Sequence, residues 1–161
     1  MKKGRKKYIV YLVLTLLVIM TIFAFSSQPA AVSYKVSSGA TQQFNNVVNK
    51  VVELDAWRSI RTFIWRNNRK IAHIFLYMCL GWCAFQTTNL FVKRKVYLKY
   101  IFALCFSLLI AIGDEIHQSF VPGRDASFSD VMIDSIGIVF SLFIAAIIGF
   151  VRYKKLRGDK N

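Results

Sequence analysis

Three groups of polar residues carry the chemistry this chain can offer: Lys70, His73 and Tyr77; Asp114, Glu115 and Gln118; and Arg124, Asp130 and Asp134. Carboxylates near a histidine can move protons, and arginine or lysine among them can hold a phosphate through charge-assisted hydrogen bonds. All three groups lie at the edges of long apolar runs. An ionisable group costs roughly 2.5–3.5 kcal/mol at the centre of a membrane helix on insertion scales, so a chain that keeps several there must give them partners.

The surrounding composition makes a membrane the expected solvent. Of 161 residues, 55% are hydrophobic, and the mean hydropathy of +0.43 is too high for a soluble domain of this size. The formal charge of +14 does not point to nucleic acid, because the basic residues fall in short runs beside apolar segments, where lipid headgroups and topology explain them. Cys79, Cys83 and Cys105 lie inside apolar runs and read as small buried hydrophobes, with no disulfide framework. No cofactor is implied and no metal site is assigned.

An all-α, polytopic four-helix transmembrane bundle follows. Lys2, Lys3, Arg5, Lys6 and Lys7, in a basic amino-terminal stretch (1–7), precede an uncharged run over 8–25. That run is long enough to cross the hydrocarbon core. Ala24 and Ser26 make a passable cleavage site, but the run is long for a signal peptide, and retention is expected. Further spans are expected over 71–92, 99–120 and 128–151, so the membrane domain covers 8–151. A basic tail (152–161) follows. The amino terminus, the Lys93/Arg94/Lys95/Lys99 loop and the tail all lie on one side, which the positive-inside rule makes the cytoplasm of a plasma membrane. Residues 26–70 then form an extracytoplasmic loop. Within it, Val47 to Trp65 reads either as an amphipathic helix anchored by Trp57 and Trp65, with Arg58, Arg61 and Arg66 facing phosphates, or as a plain linker.

Counting depth joins the polar groups. About 20 residues of helix cross the core. Such a count from Lys7 reaches Ser27; backward from Lys93 it reaches His73; from Lys99, Ser119; and backward from Arg152, Met132. The Ser26/Ser27/Gln28 turn, His73, Asp114 with Gln118, and Asp134 therefore share one level near the outer boundary. Residues four apart share a helix face, so Arg69/His73/Tyr77, Asp114/Gln118 and Asp130/Asp134 form stripes. Turned inward, they make an outward-open polar pocket in which Arg69, Lys70 and Arg124 neutralise carboxylates. Gly113, and Gly137 with Ser141, would permit close helix approach. Ser127 or Ser129 is expected to cap the last helix.

At these residues the sequence resembles the VanZ-like family of small bacterial membrane proteins, named for a member associated with resistance to the glycopeptide teicoplanin. The resemblance covers about Phe23 to Gly137. It rests on Phe25, Ser26, Ser27 and Gln28; on Arg69, Lys70, His73 and Tyr77; on Asp114, Glu115, His117, Gln118, Phe120, Pro122, Gly123 and Arg124; and on Asp130, Asp134 and Gly137. Many relatives carry an acidic residue just before the tyrosine, where this chain has Leu76, so a second carboxylate beside His73 is missing. The resemblance implies a four-helix membrane domain and a cell-envelope role, and supplies no reaction.

Two function classes stay open. In the first, the pocket binds an anionic lipid headgroup or a lipid-linked cell-wall precursor, with Ser27, Gln28, Lys70, His73, Tyr77, Asp114, Glu115, Gln118, Arg124, Asp130 and Asp134 as candidate contacts and a link to teicoplanin resistance. In the second, an outer-leaflet enzyme uses His73, Asp114 and Glu115 as acid and base on a phosphate or glycosidic linkage, with carboxylates and His117 available to a metal. Against it, the chain lacks the Pro-Ser-Gly-His, Glu-Glu and His-Glu-x-x-His signatures of membrane phosphatases and proteases. Transport would need a homodimer, since four helices do not make two inverted halves.

Overall fold

The computed structural model describes residues 2–29, 39, 42, 55–93 and 95–158. Four long helices account for nearly all of them: α1 (Lys2–Ser26), α2 (Asp55–Thr87), α3 (Val96–Gln118) and α4 (Phe128–Gly158), with a 3₁₀ turn (Thr88–Leu90) after α2. Each contains a stretch long and apolar enough to cross a membrane: Lys6–Ser26, Asn67–Leu90, Val96–Gln118 and Phe128–Arg157. The protein is a polytopic helical membrane protein.

The second helix is the hub. It packs most extensively on α4, and also on α1 and α3, while α1 and α4 have no comparable contact with each other. The faces that meet are spelled in the sequence by helical spacing. On α3, Ala103, Ser107, Ala111, Asp114 and Gln118 are all buried; on α2, Tyr77, Leu80, Gly81 and Ala84 are. Large apolar side chains instead point outward: Met20, Leu109, Ile136 and Phe143 are each about half exposed or more. Small and polar inside with greasy outside inverts the soluble pattern, and it suits a bundle whose solvent is lipid.

Close approach occurs at specific glycines. A Cβ on Gly137 would run into the backbone carbonyl of Ile74 on α2, and one on Gly81 into the Ser141 hydroxyl and the backbone of Ile138 on α4. Gly113 is not such a point; a Cβ there would meet nothing within 4 Å. The tight seam therefore joins α2 to α4, and α3 packs through alanine and serine.

Two boundaries differ from the hydropathy reading. The second span was expected to run to Val92, yet α2 ends at Thr87, because the next side chains turn back onto the helix. Thr87 Oγ1 donates to Cys83 O at 2.8 Å, Thr88 Oγ1 to Phe85 O at 2.7 Å and Asn89 Nδ2 to Gln86 O at 3.0 Å. Such local bonds compete with helix continuation. At its other end α2 starts at Asp55 and runs unbroken into the span, so there is no break between a surface helix and the span. The rest of that expected surface helix (47–54), the side chains of Trp57, Arg58, Arg61, Trp65 and Arg66, and the 30–38 stretch lie outside the described residues.

Candidate functional site

The polar site forms where the ends of α1 and α3 meet the middle of α2 and the start of α4. Ser26 closes α1, whose helix cannot continue past Gln28 because Pro29 disfavours helical backbone in the preceding residue. Its hydroxyl is fully buried and donates to Asp114 Oδ2 at 2.8 Å. Gln118, one turn along α3, donates from Nε2 to the same oxygen at 2.9 Å and contacts Ser26 Oγ at 3.3 Å.

The carbonyl of that same Gln118 side chain faces the other way and accepts from two guanidinium groups. Arg69 Nη2 reaches it from α2, and Arg124 Nη1 reaches it at 3.2 Å from the α3–α4 loop. Only one orientation of the amide suits this setting, with carboxylate and serine on the donor side and two cations on the acceptor side. Gln118 thus stands between Asp114 and the arginines. The expected direct pairing of these arginines with carboxylates gives way to a relay through an amide.

Arg124 owes its place to a tight turn. Arg124 N–H bonds to Val121 O at 3.1 Å, with Pro122 second and Gly123 third at φ 75°. That is a type II β-turn, whose third position requires positive φ and so favours glycine. The turn folds the guanidinium back over the end of α3, where Nη2 also meets Phe25 O at 3.4 Å and Nε is buried without a partner. Burial, and then the adjacent positive Arg69, push the Arg124 guanidinium below its ordinary value, while Asp114 and Glu115 oppose that shift. Two like charges are held together on one neutral oxygen.

Glu115 serves the loop from its other side. It is buried and accepts the Ser127 N–H at 2.6 Å through Oε1. Ser127 then starts α4, its carbonyl accepting from the Asp130 N–H at 2.9 Å and its hydroxyl meeting that of Ser129 at 2.7 Å. Asp130 lies in the first turn of α4, where a negative charge favours the helix dipole.

Asp134 lies one turn farther along α4, 1% exposed, with Oδ1 3.4 Å from His73 Nδ1 on α2. His73 faces this carboxylate. Tyr77 is fully buried with its hydroxyl beside Asp114; among the described residues that hydroxyl, Asp114 Oδ1 and both oxygens of Asp134 have no well-formed hydrogen bond. Arg69, Lys70, His73, Asp130, Ile133 and Asp134 line a narrow cleft of about 20 Å³, room for one water-sized group.

The remaining candidates sit at the margin. Ser27 is exposed and pairs with His117 Nε2 at 3.0 Å, and Gln28 is half-buried beyond it. Lys70 is exposed at the lip of the cleft. Among the described residues, no group of three His, Cys, Asp or Glu side chains could hold a metal ion. A larger groove of about 490 Å³ lies toward the Thr87 end, bounded by Leu16, Ala84, Phe91 and Phe106 and holding no ionisable group. Its floor carries a Thr15–Thr87 hydroxyl pair at 3.2 Å.

Residues 10–149 match the sequence model described as VanZ/LLP1. The chain belongs to the VanZ/LLP1 family. The match extends beyond Phe23–Gly137 into both outer helices, so it takes in the whole polar site of this VanZ/LLP1 protein together with the spans that hold it. No curated protein and no solved structure matches the chain.

In this VanZ/LLP1 protein the Glu115–Ser127 bond has a direct test. Glu115→Gln keeps an acceptor for the Ser127 N–H and is expected to melt within about 1 kcal/mol of the parent. Glu115→Ala leaves a part-buried N–H unpaired and is expected to cost about 1–3 kcal/mol. Thermal unfolding of the two purified variants in the same detergent reads the difference, and equal stability would mean that the bond does not hold the loop.

Proposed function

We propose that this protein binds the phosphate of a membrane headgroup, that of an anionic lipid or of a lipid-linked cell-wall precursor, at the Arg69/Arg124 pair. The observation that carries this reading is the convergence of two guanidinium groups on the Gln118 carbonyl. Among the described residues no carboxylate pairs directly with either guanidinium, so N–H donors remain to a ligand, those of the half-buried Arg69 foremost. Guanidinium matches phosphate oxygens in geometry and charge.

The site faces the outside of the plasma membrane in this reading, with both termini cytoplasmic. Basic residues support it: Lys6, Lys7, Lys93, Lys95 and Arg152 to Arg157 gather at the opposite ends of the helices from Ser26, Gln118 and Asp130. Engaging a headgroup or precursor there would place the protein in the envelope layer that teicoplanin must reach, which is the proposed link to resistance. The acid–base alternative has less to stand on. Asp114 and Glu115 are buried, each already accepts hydrogen bonds, and His73 faces Asp134.

The test uses the full chain purified in detergent with phosphatidylglycerol added, retention being read by native mass spectrometry. Arg124→Gln and Arg69→Gln are each expected to lower retention by tenfold to about a hundredfold, the worth of one charge-assisted hydrogen bond. Arg124→Lys should fall between, since it keeps the charge and loses the fork. Undiminished retention in the Arg69→Gln/Arg124→Gln double variant would remove the phosphate site.

A further inference from the structure

We infer that the cleft beside the paired arginines is a subsite for a primary ammonium group, so that the preferred ligand carries a phosphate and an ammonium together. The inference rests on the phosphate reading above and adds a second contact to it. Asp134 is 1% exposed and lines the cleft, yet among the described residues neither carboxylate oxygen accepts a well-formed hydrogen bond. Among the described residues, only His73 approaches it within ion-pair distance, at 3.4 Å. His73 can serve one of its two oxygens, and among the described residues no donor reaches the other, which is unfavourable for a buried carboxylate.

The donor must therefore enter from outside, and the cleft selects its kind. Room of about 20 Å³ admits one water-sized group and no more. Asp130, four residues earlier on α4, lines the same cleft with Arg69 and Lys70, so the entering group has two carboxylates within the lining and two cations at its edge. A primary ammonium has the size of a water molecule, three N–H donors and a charge that complements the carboxylates. A trimethylammonium is too large and has no N–H.

Arg69 joins the two halves. It lines the cleft and also reaches the Gln118 carbonyl beside Arg124. A ligand whose ammonium sits against Asp134 thus has its phosphate within reach of the guanidinium pair. The shortest common arrangement of these groups is the ethanolamine phosphate unit, present in a phospholipid headgroup and as free phosphoethanolamine.

The experiment compares short-chain phosphatidylethanolamine, phosphatidylcholine and phosphatidylglycerol on the full-length protein by native mass spectrometry. The ethanolamine lipid should be held about tenfold more tightly than the choline lipid, the worth of a charge-assisted bond. Asp134→Asn should bring that ratio close to one, and Asp130→Asn should lower it by a smaller factor, which serves if Asp134→Asn does not fold. Free phosphoethanolamine is added as a competitor. Displacement at concentrations comparable to the lipid would assign the site to the soluble compound, and failure to displace would assign it to the lipid headgroup; either supports the subsite.

Equal retention of the three lipids, or an ethanolamine preference that survives both aspartate substitutions, would overturn the ammonium subsite while leaving the phosphate site standing. Retention of none of them would overturn both.

Discussion

Gln118→Leu is expected to cost about 3–5 kcal/mol of stability, because it strands three charged groups at once. The leucine fills similar volume but offers no donor to Asp114 Oδ2 and no acceptor to Arg69 and Arg124, all of which the native amide serves. Asp114 is fully buried, so water cannot take over the amide's role at its carboxylate without opening the bundle. A fall of roughly 10 °C in the detergent melting temperature corresponds to that cost. Gln118→Glu offers a comparison of nearly equal shape. It keeps an acceptor for the arginines but sets a carboxylate against Asp114 Oδ2, 2.9 Å away in the native pair, and should also destabilise unless a proton is shared. A Gln118→Leu protein that melts with the parent would show that the amide is not what holds the carboxylate and the arginines together.

The second large effect lies on the α2–α4 seam. Gly137→Ala puts a methyl group against the Ile74 carbonyl and Met78 N–H, backbone atoms that cannot swing aside as a side chain could. Overpacking of this kind costs typically 1–3 kcal/mol, and Gly137→Leu should prevent assembly of the seam altogether. Gly113→Ala and Gly149→Ala have the opposite expected sign. An added methyl meets open space at both, and alanine exceeds glycine in helix preference by roughly 0.5–1 kcal/mol. Thermal unfolding of the three alanine variants side by side checks the reversal. The seam is wrong if all three shift alike.

That contrast marks where reading the chain alone reaches its limit. The four spans were legible because hydropathy over some 20 residues is a strong signal and few alternatives satisfy the backbone in lipid. The polar stripes were legible because four-residue spacing fixes a shared face, and Asp114 with Gln118 does share one. Spacing does not say which glycine meets a neighbouring backbone; Gly113 beside the acidic pair looked apt, whereas Gly81 and Gly137 make the approach. Nor does it choose between adjacent residues at a helix end. Ser26 and Ser27 differ by about 100° around α1, and the packing turns Ser26 to Asp114 and Ser27 to His117. The Gln118 relay was hidden for a similar reason. Opposite charges at one depth suggest direct pairs, and only three-dimensional placement reveals an amide between them.

The length of α2 has its own consequence. Its 33 residues make a rod of about 50 Å, against a hydrocarbon core of about 30 Å. The twelve residues from Asp55 to Arg66 lie ahead of the apolar stretch that begins at Asn67, an overhang of roughly 18 Å. Arg69 and His73 sit just inside its fulcrum. A sideways swing of 10° in the rod would carry its tip about 3 Å while leaving the guanidinium and imidazole at its root nearly in place.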